Sequence, residues 1–267
     1  MTIAVGLVLA AASSVAINGG YALQHRHASS LPPLELRRPL HSLGLLARSG
    51  GWLAGFVAGI GGWAIYVAAL ALAPLSLVQA CAAAGIAVLA IGHGRLSQWE
   101  RAGIALAFNG LALLGLSLGS HTGGGHGAWL AVAAWMGASA AVAGSLARLR
   151  SGPALGLAAG VLYAAGDVGT KAAVGGGMHL LFVPPLLACH GLAFVAMQLA
   201  FQRGGRLATA GVAVLATNAL PILAGTALFA EGIPPSWAGA ARISAFVLVL
   251  LAAVALARTA EPREAFA

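Results

Sequence analysis

At 267 residues, 60% hydrophobic and only 7% charged, with a mean hydropathy of +0.92, the chain is too apolar to fold as a soluble domain. A net charge of +8 does not mark a nucleic-acid binder, because the 14 basic residues are spread between apolar segments rather than gathered beside aromatics. Cys81 and Cys189 both fall inside apolar sequence, which excludes a disulfide framework and a thiolate metal site.

Nine stretches meet the length of roughly 20 apolar residues that a bilayer span requires. They are spans 1 to 9 at 3–23, 51–72, 75–92, 101–119, 128–147, 153–173, 179–199, 207–229 and 236–257. The first lacks a basic leader and reads as a retained helix rather than a cleaved signal. After it comes the longest connection, 25–49, where Pro32, Pro33 and Pro39 interrupt any continuous helix; this segment is expected along the membrane interface.

The connections set the orientation. Arg26, Arg37, Arg38 and Arg48, then Arg95 and Arg101, Arg148 and Arg150, Arg203 and Arg206, and Arg258 and Arg263 all fall on one side if nine spans alternate. The turns on the other side contain no lysine or arginine. By the positive-inside rule the N-terminus is outside and the C-terminus cytoplasmic. The Arg-, Ala- and Gly-rich usage points to a bacterial inner membrane.

A weak internal repeat accompanies this topology. Setting Gly6 on Gly156 also sets Gly19 on Gly169 and places Asn18 opposite Asp167-Val168, while a different offset sets Trp99 on Trp237. The expected fold is therefore an all-α polytopic membrane protein of about nine transmembrane helices, arranged as two inverted four-helix repeats joined by a linking helix. The boundaries are 1–120 for the first repeat with its basic cytoplasmic loop at 25–50, 121–152 for the linking helix, 153–257 for the second repeat and 258–267 for a cytoplasmic tail. Two glycine triplets, Gly51/Gly55/Gly59 and Gly152/Gly156/Gly160, have the spacing that lets helices approach closely.

No nucleophile elbow, Walker loop, HExxH or CxxC motif occurs, so hydrolytic, nucleotide-driven and metal-dependent chemistry have no foothold, and neither an enzyme nor a cofactor is expected. What remains is a sparse set of polar residues within the spans. Asp167 and Lys171 in span 6 lie four residues apart on one helical face, where each partly neutralises the other. Ionisable groups in a span are expensive and usually face a bundle interior or cavity, which favours a functional role; the alternative is that Lys171 snorkels outward with Asp167 as its local partner. Asn18, Gln79 and Asn218 are candidates for orienting a solute, with interhelical hydrogen bonding as the other reading. His190 is a candidate proton carrier or a satisfied core histidine. Arg242 is expected to pair with Glu231, and Pro221 to kink span 8. His121 and His126 flank a glycine-rich turn and do not by themselves make a metal site.

Arg203-Gly-Gly-Arg206, Thr209, Pro221 and Leu228-Phe-Ala-Glu231 resemble the C-terminal pattern of the drug/metabolite transporter superfamily, and Ala68 to Gln79 followed by Trp99 to Gly115 is similar to its EamA-like segment. Asn18 to Gln24, the long basic loop and Gly169-Thr-Lys171 resemble the nine-helix NIPA-like branch, which is associated with magnesium transport. Two departures stand out: the connection at 25–49 replaces the second helix usual in EamA-like exporters, and His93 stands where many members carry a glutamate.

The resemblance implies a secondary transporter of a small metabolite or drug-like solute, with a central site between spans 1, 3, 6 and 8. In that site Asp167 would bind a cation or coupling proton, Lys171 would tune it, and Asn18, Gln79, Asn218 and His190 would complete the surroundings. A magnesium carrier and a non-transporting scaffold are the alternatives. The partners implied are a small-molecule or cation substrate and the lipid bilayer, without nucleic acid; a homodimer is compatible with all three readings.

Overall fold

The computed structural model describes residues 2–34, 38–72, 89, 96–117, 127–173, 176–229 and 237–258. These residues are predominantly helical, with no strand among them. The α-helices are α1 (Thr2–Ala28), α2 (Pro39–Arg48), α3 (Gly50–Leu72), α4 (Gln98–Ser117), α5 (Trp129–Arg148), α6 (Gly152–Ala173), α7 (Val183–Phe201), α8 (Val212–Leu228) and α9 (Trp237–Ala257). A 3-10 segment, Gly177–Phe182, leads into α7, and a π-helical turn, Leu207–Gly211, leads into α8. Span 3, with Gln79, lies outside the described residues apart from Leu89, as do His93, His121, His126 and Glu231.

Among the described residues five helices are long and apolar enough to cross a membrane: Ala4–Ala28, Trp129–Arg148, Gly177–Phe201, Leu207–Gly225 and Trp237–Leu256. A sixth is added if the pair Leu40–Arg48 and Gly50–Tyr66, bent by 94°, counts as one. Leu130, Leu187, Ile243 and Leu250 are exposed on the outside, the large apolar surface that a lipid solvent accommodates.

Helix boundaries differ from the sequence reading for identifiable reasons. The chain stays helical past residue 23, because no breaker precedes Pro32 and the basic last turn His25, Arg26 and His27 suits the negative helix end. Pro39 does not merely interrupt the connection but opens α2 at its first turn, where the missing N–H is not needed. Likewise Pro184 and Pro185 start α7, which leaves the preceding residues in the tighter 3-10 turn.

Both glycine triplets sit at helix contacts. α1 packs along α3 where a Cβ on Gly55 would come within 2.7 Å of the Gly20 carbonyl. Helix α6 packs along α5, α7 and α8. Against the π turn and α8, a Cβ on Gly160 would come within 2.6 Å of the Ala213 carbonyl, and one on Gly156 would strike that of Thr209. This contact leaves α6, which is not one of the five helices long and apolar enough to cross a membrane, largely enclosed, with Ala158, Ala159, Ala164, Ala165 and Val168 all buried. The helix that carries Asp167 and Lys171 is thus packed against three others.

α4 packs chiefly along α9, with a smaller contact to α8. Arg242 is buried there and donates from Nη2 to the Ser117 carbonyl at 2.9 Å, covering the last turn of α4. The expected Glu231 partner lies outside the described residues.

Candidate functional site

A cavity of about 720 Å³ lies between α1, α3, α6, α7 and α8. Five of the six residues expected at a central site line it: Asn18, Asp167, Lys171, His190 and Asn218. The sixth, Gln79, is outside the described residues. The walls differ in part from the expectation, since spans 2 and 7 contribute through α3 and α7. Asn109 faces outward on α4, its amide donating to the Ala105 carbonyl at 2.8 Å.

Asp167 meets a different group from the one its spacing suggested. Its Oδ1 lies 3.5 Å from His190 Nε2 on α7. The ammonium of Lys171, carried away from its own turn by a four-carbon stem, lies 4.4 Å from the centre of the Phe229 ring, a cation–π contact. The carboxylate side chain is 47% accessible, so it stays open to the cavity.

Two contacts hold the imidazole. Its Nδ1 lies 2.9 Å from the Leu186 carbonyl. A carbonyl can only accept, so Nδ1 is the protonated nitrogen and Nε2 faces Asp167. Beneath the ring is Gly166, where a side chain would overlap the imidazole, and Tyr163 meets it edge-on with centroids 5.8 Å apart. With Nδ1 committed, the contact between Nε2 and the carboxylate is favourable when one proton lies between them, on the ring as an imidazolium or on the acid. The pair can therefore share a single proton at the cavity wall. Thr170 is turned away from this pair, its hydroxyl donating to the Gly166 carbonyl at 2.8 Å.

Tyr21, Tyr66 and Tyr163 are the three tyrosines of the whole chain, and all three line the cavity. The sequence reading passed over them, although Tyr21 lies three residues from Asn18 and Tyr163 four from Asp167, on shared helical faces. Tyr66 has no such neighbour and becomes visible only when α3 is packed in place.

One end of the cavity is closed by a polar relay and an aromatic cluster. Trp52 Nε1 donates to Gln198 Oε1 at 2.7 Å, and Gln198 Nε2 donates to Gln24 Oε1 at 2.9 Å. Because an indole N–H only donates, it sets the direction of both amides. Trp52 stacks on Phe56 at 5.3 Å, and Phe194 meets Phe56 edge-on at 5.7 Å. Just beyond, Gln202 ties α7 to the chain after α1 by donating to the Ala28 carbonyl at 3.0 Å and accepting from the Leu34 N–H at 2.9 Å. His25 Nε2 lies 2.8 Å from the Gly204 carbonyl. Gln24 and Trp52 were not expected in the site; nothing in their spacing marks them.

Together these features give a five-helix chamber with an openly accessible carboxylate, a proton-binding ring, aromatic walls and one end tied shut. No family model, curated protein or solved structure matches the chain.

Proposed function

We propose that the chain is a secondary transporter that carries a small organic solute across the inner membrane by alternating access, with a proton exchanged at Asp167 and His190. The observation that carries this reading is the solute-sized cavity holding the Asp167–His190 pair at 3.5 Å. A carboxylate inside a span is too costly to keep for packing alone, and a proton shared with a neighbouring ring provides the neutral state in which it crosses the membrane interior. A cationic solute arriving at Asp167 competes with that proton, which couples the two movements.

The closed end fits the cytoplasmic side, where Arg26, Arg48, Arg203 and Arg206 gather; the relay of Trp52, Gln198 and Gln24 and the Gln202 tie would then part for the chamber to open inward. Two inverted four-helix halves around helix α5, with the N-terminus outside, supply the frame in this reading, and membership of the drug/metabolite transporter superfamily fits it.

A magnesium carrier is the competing reading. Mg²⁺ dehydrates reluctantly and favours carboxylates with retained waters. Among the described residues no group of three His, Cys, Asp or Glu side chains comes together, and Asp167 already faces a histidine. A non-transporting scaffold is the third. Flux into liposomes holding the purified protein, with Mg²⁺ beside amines and amino acids under an imposed pH gradient, separates all three. Gradient-driven movement of an organic solute, lost in Asp167→Asn, is the expected outcome. Saturable Mg²⁺ flux, or organic flux unchanged in the variant, contradicts the proposal.

A further inference from the structure

Asn18 contains a buried polar atom that no described residue satisfies. Its Nδ2 donates to the Ser14 carbonyl at 2.9 Å, and since that carbonyl can only accept, the amide cannot be turned the other way. Oδ1 is then the end that faces away from the helix backbone. It is buried and has no hydrogen-bond partner among the described residues, in a residue only 4% exposed. Orphaned acceptors of this kind are rare in folded proteins and call for a donor that the described residues do not supply.

Asn218 on α8 repeats the arrangement. Its Nδ2 donates to the Val214 carbonyl at 2.7 Å, which leaves Oδ1 as its available end. Asn18, Asn218 and Asp167 come from three different helices, yet line one cavity together with the three tyrosines. The lining residues therefore carry two amide oxygens, that of Asn18 buried, one carboxylate and three phenol rings.

We propose that this wall is the recognition site for a primary organic amine with an apolar or aromatic body. Asp167 supplies the counter-charge, the Oδ1 atoms of Asn18 and Asn218 accept ammonium hydrogens, and the tyrosines hold the body of the molecule and the positive charge through their ring faces. A quaternary ammonium fits the carboxylate and the rings equally well, but has no hydrogen for the Asn18 oxygen. Hydrogens on nitrogen are thus what the site selects. Lys171, one helical turn beyond Asp167, disfavours a second positive charge at that end, so a monoamine is expected rather than a diamine.

This inference rests on the transporter reading for its biological sense, and the test keeps the two apart. Equilibrium binding of phenethylamine and of its N,N,N-trimethyl derivative is measured on the purified full-length protein at fixed pH and ionic strength. The two share body and charge and differ in N–H donors. Wild type should prefer the primary amine by about tenfold or more, the worth of a hydrogen bond to a charged group. Asn18→Leu should weaken primary-amine binding and leave the trimethyl compound unchanged, and Asn218→Leu should reduce the preference in the same direction, which covers a failure of the first variant to fold. Equal binding of the two compounds by wild type, or a preference that survives both substitutions as it would if a trapped water satisfied Asn18, overturns the inference. Liposome flux is read alongside. Selective amine binding without flux removes the transporter and keeps the pocket, whereas flux of other solutes without amine binding does the reverse.

Discussion

Replacing Gly166 with alanine adds a methyl group where the His190 ring now sits, since a Cβ at that position would overlap the imidazole Cε1 and Nδ1. The ring must leave its slot, and with it go the 2.9 Å contact to the Leu186 carbonyl and the 3.5 Å contact to Asp167. Overpacking at such a site costs about 1–3 kcal/mol. The lost hydrogen bond adds about 1 kcal/mol. Removing a glycine from mid-helix returns about 1 kcal/mol. The net expectation is a loss of roughly 1–3 kcal/mol, read as a lower unfolding temperature of the detergent-solubilised protein. Gly191 is the control: it lies on α7 beside His190, but a Cβ there meets nothing within 4 Å, so Gly191→Ala should be neutral or slightly stabilising. In liposomes Gly166→Ala should lose pH-driven flux while Gly191→Ala keeps it. Equal stability and equal coupling in the two variants would refute the slot.

Asn18→Leu should raise thermal stability by about 1–2 kcal/mol while lowering amine affinity, because it removes a buried acceptor that no described residue satisfies; a stability loss in calorimetry would show that Asn18 is structural glue. Trp52→Phe keeps the ring stack on Phe56 but strips the donor from Gln198 Oε1, so about 1–3 kcal/mol of stability should go; no change in unfolding temperature would mean that the relay does not hold that end closed. His190→Asn should leave solute binding within a few-fold of wild type, yet flatten the response of flux to an imposed pH gradient, because the imidazole that exchanges the proton in this reading is gone. Full pH sensitivity in that variant would assign the proton elsewhere.

Which parts of this site the sequence discloses follows from what each residue needs. Asp167 and Lys171 are conspicuous because they are charges in apolar sequence, and Asn18, His190 and Asn218 because they are polar there. Their pairing is not legible. The four-residue spacing favours Asp167 with Lys171, but α7 brings His190 to the carboxylate over a glycine, a contact between residues 23 positions apart that only packing creates. The relay of Trp52, Gln198 and Gln24 is hidden for the same reason, with 146 and 174 positions between its partners. Apolar length marks eight of the described helices, whereas α2 carries no such signal and the third stretch lies outside the described residues; helix ends are not legible, since α1 continues through polar sequence to Ala28 and the π turn before α8 has no sequence signature. The glycine triplets were read as close-approach sites, and both meet neighbouring backbone in the fold.

The most direct test of shared occupancy at Asp167 is proton counting. The transported solute is added to purified protein in weakly buffered detergent, and proton release is followed over a pH range of about 5 to 9 around the ordinary histidine titration. Wild type should release up to about one proton per bound solute, with a maximum within that range, and Asp167→Asn should release none. Solute binding without proton release in wild type, or the same release in Asp167→Asn, would contradict the exchange at the Asp167–His190 pair.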